Sequence, residues 1–324
     1  LGTLKFLWLL FAIYSILIWQ TKGEDIMHPN SNLRIGPAGW QRADWRELLD
    51  RGPATGRPHR LERLSEYVNL AEIGQTFEEP LKPEIAHLYL KKVQHRADFL
   101  FTAMLGRRFT YDRALEPEAV ARWKAGFEPL ARARRLGALV MQFPWAFRFN
   151  AENREYLIRL RREFGEFPLC AEMRHDSWLC DEAITTLIGY HVGLVGVDQP
   201  SYFRAMPPAA RLTSGVAVVR LHGRRGPDAF RDFEARPDTG YLYDLDELLE
   251  WRGRIERLAA NAERTLVITT NAWRGGALVN ALQLGEILST AELRAPAGLI
   301  AAYPAELAAF RATRPLGERL RRAA

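Results

Sequence analysis

Six short apolar runs in this 324-residue sequence end in polar or charged residues of the types that exchange protons or hold anions. They read Glu72-Ile73-Gly74-Gln75-Thr76-Phe77, Met141-Gln142-Phe143-Pro144-Trp145, Glu172-Met173-Arg174-His175-Asp176-Ser177-Trp178, Val197-Asp198-Gln199-Pro200, Arg220-Leu221-His222-Gly223-Arg224 and Thr270-Asn271. A carboxylate or imidazole set beside guanidinium groups has a displaced pKa and can act as a general acid or base, which makes His222, Glu172 and Asp198 the candidate catalytic residues. His222 is favoured over His175, because Gly223 lets the backbone approach a ligand closely whereas His175 can simply cap its loop. Arg174, Arg220 and Arg224 present planar donor forks suited to phosphate or carboxylate. Glu72 suits the hydroxyl or amino groups of the same ligand, and Gln142 offers an orienting amide. Trp40 and Trp178 would cover an apolar ligand face, and His175 and Asn271 complete the candidate binding set.

The chemistry is that of a small phosphorylated or carboxylated metabolite, with a nucleic-acid end as the alternative source of phosphate. A metal-assisted hydrolase would take Glu72, Glu172, Asp198 and His222 as ligands, but no His-rich or cysteine spacing signals a metal, and none is expected. No cofactor can be named.

Strand alternation decides which of these groups meet. Residues two apart share a face, so Glu172 pairs with Arg174 and Arg220 with His222. Charges on an inward face need partners or a ligand. One reading is an internal salt-bridge layer in which Glu172, with Glu72 or Asp198, neutralises Arg174 and Arg220. The preferred reading is a polar pocket where these groups converge.

The elements that must position them recur regularly. Strands are expected at Leu33–Gly36, Asn69–Ile73, Phe99–Met104, Ala138–Phe143, Leu169–Arg174, Val192–Val197, Val216–His222 and Thr265–Thr270. Between them, apolar residues at three and four spacing mark helices at Pro83–His95, Pro117–Leu136, Ala151–Phe164, Asp181–Tyr190, Leu245–Asn261 and Gly276–Leu288. Eight strand–helix repeats over residues 33–290 predict a single-domain α/β fold, a TIM (β/α)8 barrel, whose active groups stand at the C-terminal strand ends. An open doubly wound sheet is disfavoured, because Gly36-Pro37-Ala38-Gly39-Trp40 is no phosphate-binding fingerprint. Residues 291–324 form a C-terminal helical appendage, with Pro304 opening an alanine-rich pattern over 303–320 and a basic tail.

With 48% apolar and 26% charged residues, disordered and low-complexity classes are excluded. Cys170 and Cys180 match no metal spacing and fit a reduced, cytoplasmic chain. The formal charge of +6 is partly local, since Arg311, Arg314, Arg319, Arg321 and Arg322 oppose only Glu318 near the end. General nucleic-acid binding is therefore not favoured. Residues 1–32 are an apolar extension and linker, read as translation upstream of Met27, an uncleaved anchor or a signal peptide. Membrane association is expected only if residues 1–20 are a genuine anchor.

Taken in order, several strings resemble the YecE-like family, domain of unknown function 72, from about Ile35 to Leu284. They are Gly36-Pro37-Ala38-Gly39-Trp40 with Asp44-Trp45, Ala71-Glu72-Ile73 with Thr76-Phe77, Phe99-Leu100-Phe101-Thr102-Ala103 and Gln142-Phe143-Pro144-Trp145. The series continues with Glu172-Met173-Arg174-His175 and Trp178, Val197-Asp198-Gln199-Pro200, Val219-Arg220-Leu221-His222-Gly223-Arg224 and Asn280-Ala281-Leu282-Gln283-Leu284. The resemblance implies a TIM barrel and a site, but no reaction. Polar positions of the family pattern are altered at Gly74, Met104, Tyr111, Thr270 and Ala272, and Asp238-Thr239-Gly240 replaces an Arg-Tyr pair. A catalytically degenerate binding barrel is thus the second functional reading.

Overall fold

A computed structural model describes residues 32–43, 45–49, 59–224, 240–289 and 293–313. The first strand, β1 (Leu33–Pro37), pairs in parallel with β9 (Arg264–Thr269), which pairs with β8 (Val216–Leu221) and then with β7 (Gly196–Asp198). A second parallel sheet runs β2 (Leu70–Ile73), β3 (Leu100–Met104), β4 (Leu136–Gln142), β5 (Leu169–Glu172) and β6 (Gly193–Leu194). Val195 joins β6 to β7, and its N–H donates to the Ala171 carbonyl at 3.0 Å, so the sixth ring position is one interrupted strand. Between β1 and β2, Ala38 bridges Glu72 and the Gly39 N–H donates to the Glu72 carbonyl at 2.9 Å. Gly36 permits that closure, because a Cβ there would lie 1.8 Å from the Leu70 carbonyl oxygen. The eight strand positions form the (β/α)8 barrel that the repeat pattern implies.

Local chemistry starts the covering helices. Pro83 and Pro117 open α3 (Pro83–Lys92) and α5 (Pro117–Arg132), where a missing N–H leaves no bond unmade. Asn150 caps α6 (Ala151–Glu163) by accepting from the Asn153 N–H, and Asp244 forms a capping box with Glu247 at α8 (Leu245–Asn261). With α1 (Trp45–Leu49), α2 (Arg60–Leu64), α4 (Arg107–Thr110), α7 (Asp181–Gly189) and α9 (Gly276–Ile287), these cover the barrel's outer face. Alternate strand residues fill its interior, including Leu70, Ala138, Val140, Cys170, Val195, Val197, Val218, Leu266 and Ile268.

The C-terminal expectation is corrected among the described residues. The helix there is α10 (Ala297–Ala302), between β10 (Arg294–Pro296) and β11 (Arg311–Thr313), which pair in parallel. Residues 303–310 are mostly turns rather than a helix opened by Pro304. Burial of Leu307 and Phe310 fixes these turns, and this packing overrides the helix propensity of the alanines. The described part of the compact unit that carries the barrel begins at Asn32. The expected N-terminal apolar run, and the tail residues Arg314, Glu318, Arg319, Arg321 and Arg322, lie outside the described residues. No described helix is long and apolar enough to cross a membrane.

Candidate functional site

Strand ends carry the polar groups into one place. Glu72 lies near the end of β2, Gln142 ends β4, Glu172 ends β5 with Arg174 two residues beyond, and Arg220 lies near the end of β8 with His222 following. Arg220 spans the barrel mouth. Its Nη2 donates to Glu72 Oε1 at 2.7 Å, its Nη1 to Gln142 Oε1 at 3.1 Å, and the same nitrogen meets Glu172 Oε2. Arg174 Nη2 lies 2.6 Å from Glu172 Oε1 and 3.3 Å from His222 Nε2, while its Nη1 donates to Gln199 Oε1 at 2.8 Å. Five ionisable side chains, Glu72, Glu172, Arg174, Arg220 and His222, are thus buried in one network.

The ring of His222 is held at both nitrogens. Nε2 lies 3.0 Å from the Glu172 carboxylate and 3.3 Å from Arg174 Nη2. Nδ1 lies 2.7 Å from the Thr270 hydroxyl, which donates to the Leu221 carbonyl at 3.0 Å. Burial depresses the His222 pKa to about 3, with Arg174 and Arg220 adding to it and Glu172 only partly opposing. The ring is therefore neutral at physiological pH. Burial alone would raise the Glu172 carboxyl, but Arg174, Arg220 and His222 overcome it and hold the group well below its usual range. Glu72 behaves oppositely: burial pushes its pKa up, Arg220 offsets this only in part, and the Glu172 charge adds to the rise. Gly223, at φ +93°, makes the turn after His222, where a Cβ would meet the Tyr241 ring at 2.9 Å.

Other expected residues sit elsewhere. Asp198 faces outward from β7, where Arg224 grips it with Nε and Nη2 at 3.0 and 2.8 Å and the Trp251 indole N–H of α8 donates to it. Arg224 also bonds Glu250 at 2.7 Å, so its fork ties loop to helix rather than facing the mouth. Trp178 is fully buried, stacked on Phe147, with its N–H donating to the Phe147 carbonyl at 2.7 Å; it packs the core rather than walling a ligand. His175 caps a 3-10 turn by accepting from the Ser177 N–H at 3.1 Å. Asn271 bonds the Tyr241 carbonyl and Asn280 at 2.9 and 2.7 Å, pinning the loop after β9. Trp40 packs edge-on against Tyr89 beside Glu72, and both line one cavity of about 140 Å³.

The altered family positions are not idle. Tyr111 accepts from Gln142 Nε2 at 3.1 Å, Thr270 holds His222, and the Ala272 carbonyl accepts from the Trp45 indole at 3.0 Å. Met104 joins the interior apolar layer and Gly74 begins a 3-10 turn. Gln199 and Tyr202 were missing from the expected site. The Tyr202 hydroxyl donates to the Arg174 carbonyl at 3.2 Å and to Gln199 Oε1 at 3.3 Å. Strand parity was the available signal, since inward Val195 and Val197 put Gln199, not Asp198, on the inner face. Among the described residues, no three His, Cys, Asp or Glu side chains are grouped to hold a metal.

The model of the family "Protein of unknown function DUF72" matches residues 34–302. The chain belongs to the DUF72 family. It is 22% identical over 273 residues to the UPF0759 protein YunF of Bacillus subtilis (strain 168), covering 78% of this chain and 94% of that one. A DUF72 family structure from Enterococcus faecalis V583, EF0366, superposes with a TM-score of 0.70 at 21% identity, covering 80% of this chain and 96% of that chain. The DUF72 protein TM1631 of Thermotoga maritima MSB8 gives 0.66 at 27% identity, covering 79% and 99%. The family and the fold agree with the strand count, and the family's description assigns no reaction.

Proposed function

We propose that this DUF72 chain binds a small metabolite bearing a carboxylate or phosphate at the C-terminal mouth of its barrel. The observation that carries the reading is the buried network of Glu72, Glu172, Arg174, Arg220 and His222 in a layer that barrels ordinarily fill with aliphatic side chains. Desolvating such ions costs several kcal/mol each, and a well-packed apolar layer is often as stable or more so, so selection for stability alone does not favour the network. Arg220 Nε has no partner among the described residues, which leaves a buried donor for an incoming oxygen.

Binding is favoured over acid–base turnover through His222. An imidazole with a pKa near 3 is a weak base at neutral pH, and Glu172 is committed to two guanidinium groups. This supports the second reading, a barrel that binds without turning over. The free thiols Cys170 and Cys180 fit a cytoplasmic setting for it.

A thermal-shift screen of anionic metabolites and short oligonucleotides, on wild type and Arg220→Ala, tests the reading. A metabolite should raise the melting temperature of wild type and leave the variant unmoved. Stabilisation by oligonucleotides alone would transfer the phosphate site to nucleic acid. Equal shifts in both proteins would end the mouth reading.

A further inference from the structure

A cavity of about 740 Å³ lies apart from the ionic network, lined by groups that follow the C-terminal ends of the neighbouring strands β1 and β9. Arg46, Glu47 and Leu48 come from α1, Trp273 and Arg274 from the 3-10 turn after β9, and Tyr303 from the residue after α10. The volume is that of a small-molecule site.

Two glycines set the walls. A Cβ on Gly298 of α10 would lie 2.5 Å from the Glu47 carbonyl oxygen, and one on Gly275 would lie 2.6 Å from Leu48 Cδ1. Helix α10 therefore packs directly on α1, and Leu48 packs directly on the turn. Arg274 within that turn holds φ +49°, a left-handed conformation that costs energy in any residue with a side chain. The Tyr303 hydroxyl donates to its carbonyl at 3.0 Å and fixes it there. The turn thus keeps the Trp273 ring 41% exposed, with the Arg274 guanidinium 4.4 Å from the ring centre.

Two charges at the cavity lack partners. Arg46 and Glu47 are both exposed, and neither side chain forms an ion pair or hydrogen bond with a described residue, the other included. Adjacent positions on a helix diverge, which keeps the two apart. A ligand with a single charge pairs with one of them and is repelled by the other. A neutral hydroxyl meets either group no better than water does. A carboxylate and an ammonium on one molecule satisfy both, and a flat ring matches the indole, Tyr303 and Leu48. We propose that this cavity binds an aromatic amino acid as its zwitterion, with the carboxylate on Arg46, the ammonium on Glu47 and the ring against Trp273. The ring supplies most of the affinity, and the charge pair selects the ligand.

The indole N–H resonance of Trp273 in the full-length chain, assigned by its loss in Trp273→Phe, reports binding directly. L-Phenylalanine should shift it saturably, and glycine should leave it unmoved. Phenylpropionate lacks the ammonium and phenethylammonium lacks the carboxylate, so each should bind about threefold to fivefold more weakly than phenylalanine. Arg46→Ala should weaken phenylalanine by that factor without weakening phenethylammonium. Glu47→Ala should weaken phenylalanine without weakening phenylpropionate. Trp273→Ala, read by calorimetry, should cost about fivefold. Arg220→Ala should bind phenylalanine as wild type does, so this site and the mouth reading fail separately. The proposal is overturned if phenylalanine leaves the Trp273 resonance unmoved, if either single-charge analogue binds as tightly as phenylalanine, or if neither charge substitution changes affinity. Phenylalanine binding lost in Arg220→Ala alone would place the amino acid at the mouth and remove this site.

Discussion

At the residue scale, the two glutamates of the mouth face opposite consequences from similar burial. Glu172 is held ionised by Arg174 and Arg220, so Glu172→Gln leaves two guanidinium groups under-paired in a dry environment. Urea unfolding should show a loss of about 3–5 kcal/mol, the range for breaking a buried ion pair. Glu72 has a raised folded pKa, so its contribution is fully present below its unfolded pKa and declines as pH rises through the folded one. Glu72→Gln should accordingly be neutral or stabilising at alkaline pH, and the two variants should diverge in unfolding midpoint. His222 sets the acid limit. The unfolded chain takes up its proton near 6.5 whereas the folded ring resists until about 3, so stability present above the first value is lost as pH falls through that window. The Glu172 carboxyl adds a loss of the same sign at the acid end. His222→Gln should therefore show a shallower fall in melting temperature between about pH 6.5 and 4 than wild type.

At the element scale, the strand ladder explains what the sequence made legible. Eight apolar runs separated by helical periodicity sufficed for the barrel, because period and length are local properties of the chain. Glu172–Arg174 and Arg220–His222 were legible by alternation within single strands. The partnership of Arg220 with Glu72 was open only as one of two alternatives, since it depends on register across the closed ring. Asp198 was misjudged for a related reason: it ends a strand beside Gln199, and only the inward positions of Val195 and Val197 reveal which of the two faces the mouth. Trp178 and Asn271 looked like ligand contacts because aromatic and amide residues serve packing and loop-pinning equally well. Two substitutions test this scale. Gly36→Ala drives a methyl into the Leu70 carbonyl at the β1–β2 closure and should cost at least about 3 kcal/mol, read as a lowered unfolding midpoint. Asp198→Asn loosens the tie between β7, Arg224 and Trp251 of α8. It should cost roughly 1–3 kcal/mol while leaving anion affinity within about twofold, because the tie lies outside the barrel.

At the scale of the whole molecule, the barrel encloses two kinds of interior. Below the mouth, Leu70, Val140, Val195, Val218 and Ile268 form an apolar filling of the kind that stabilises such barrels. Above it, the ring of Glu72, Glu172, Arg174 and Arg220 holds two carboxyl groups against two guanidinium groups, so its charges can balance without a ligand. Balance is what an internal brace needs, and it is also what keeps a binding site folded while empty. Removing one member cannot separate these roles, because it alters the charge balance of the layer and the contacts open to a ligand together. Replacing all four can. Glu72→Leu, Glu172→Leu, Arg174→Met and Arg220→Met together exchange the ionic layer for an apolar one with no charge left unpaired. If the layer is kept for ligand recognition, the fourfold variant should be more stable than wild type by about 1–4 kcal/mol and should lose every anion-induced shift in melting temperature. A variant that folds but is less stable than wild type would mean that the ion pairs brace the mouth, and binding would lose the argument that selection kept them at a cost. The stability difference and the ligand response are measured on the same two proteins, so each reading predicts a different pair of results.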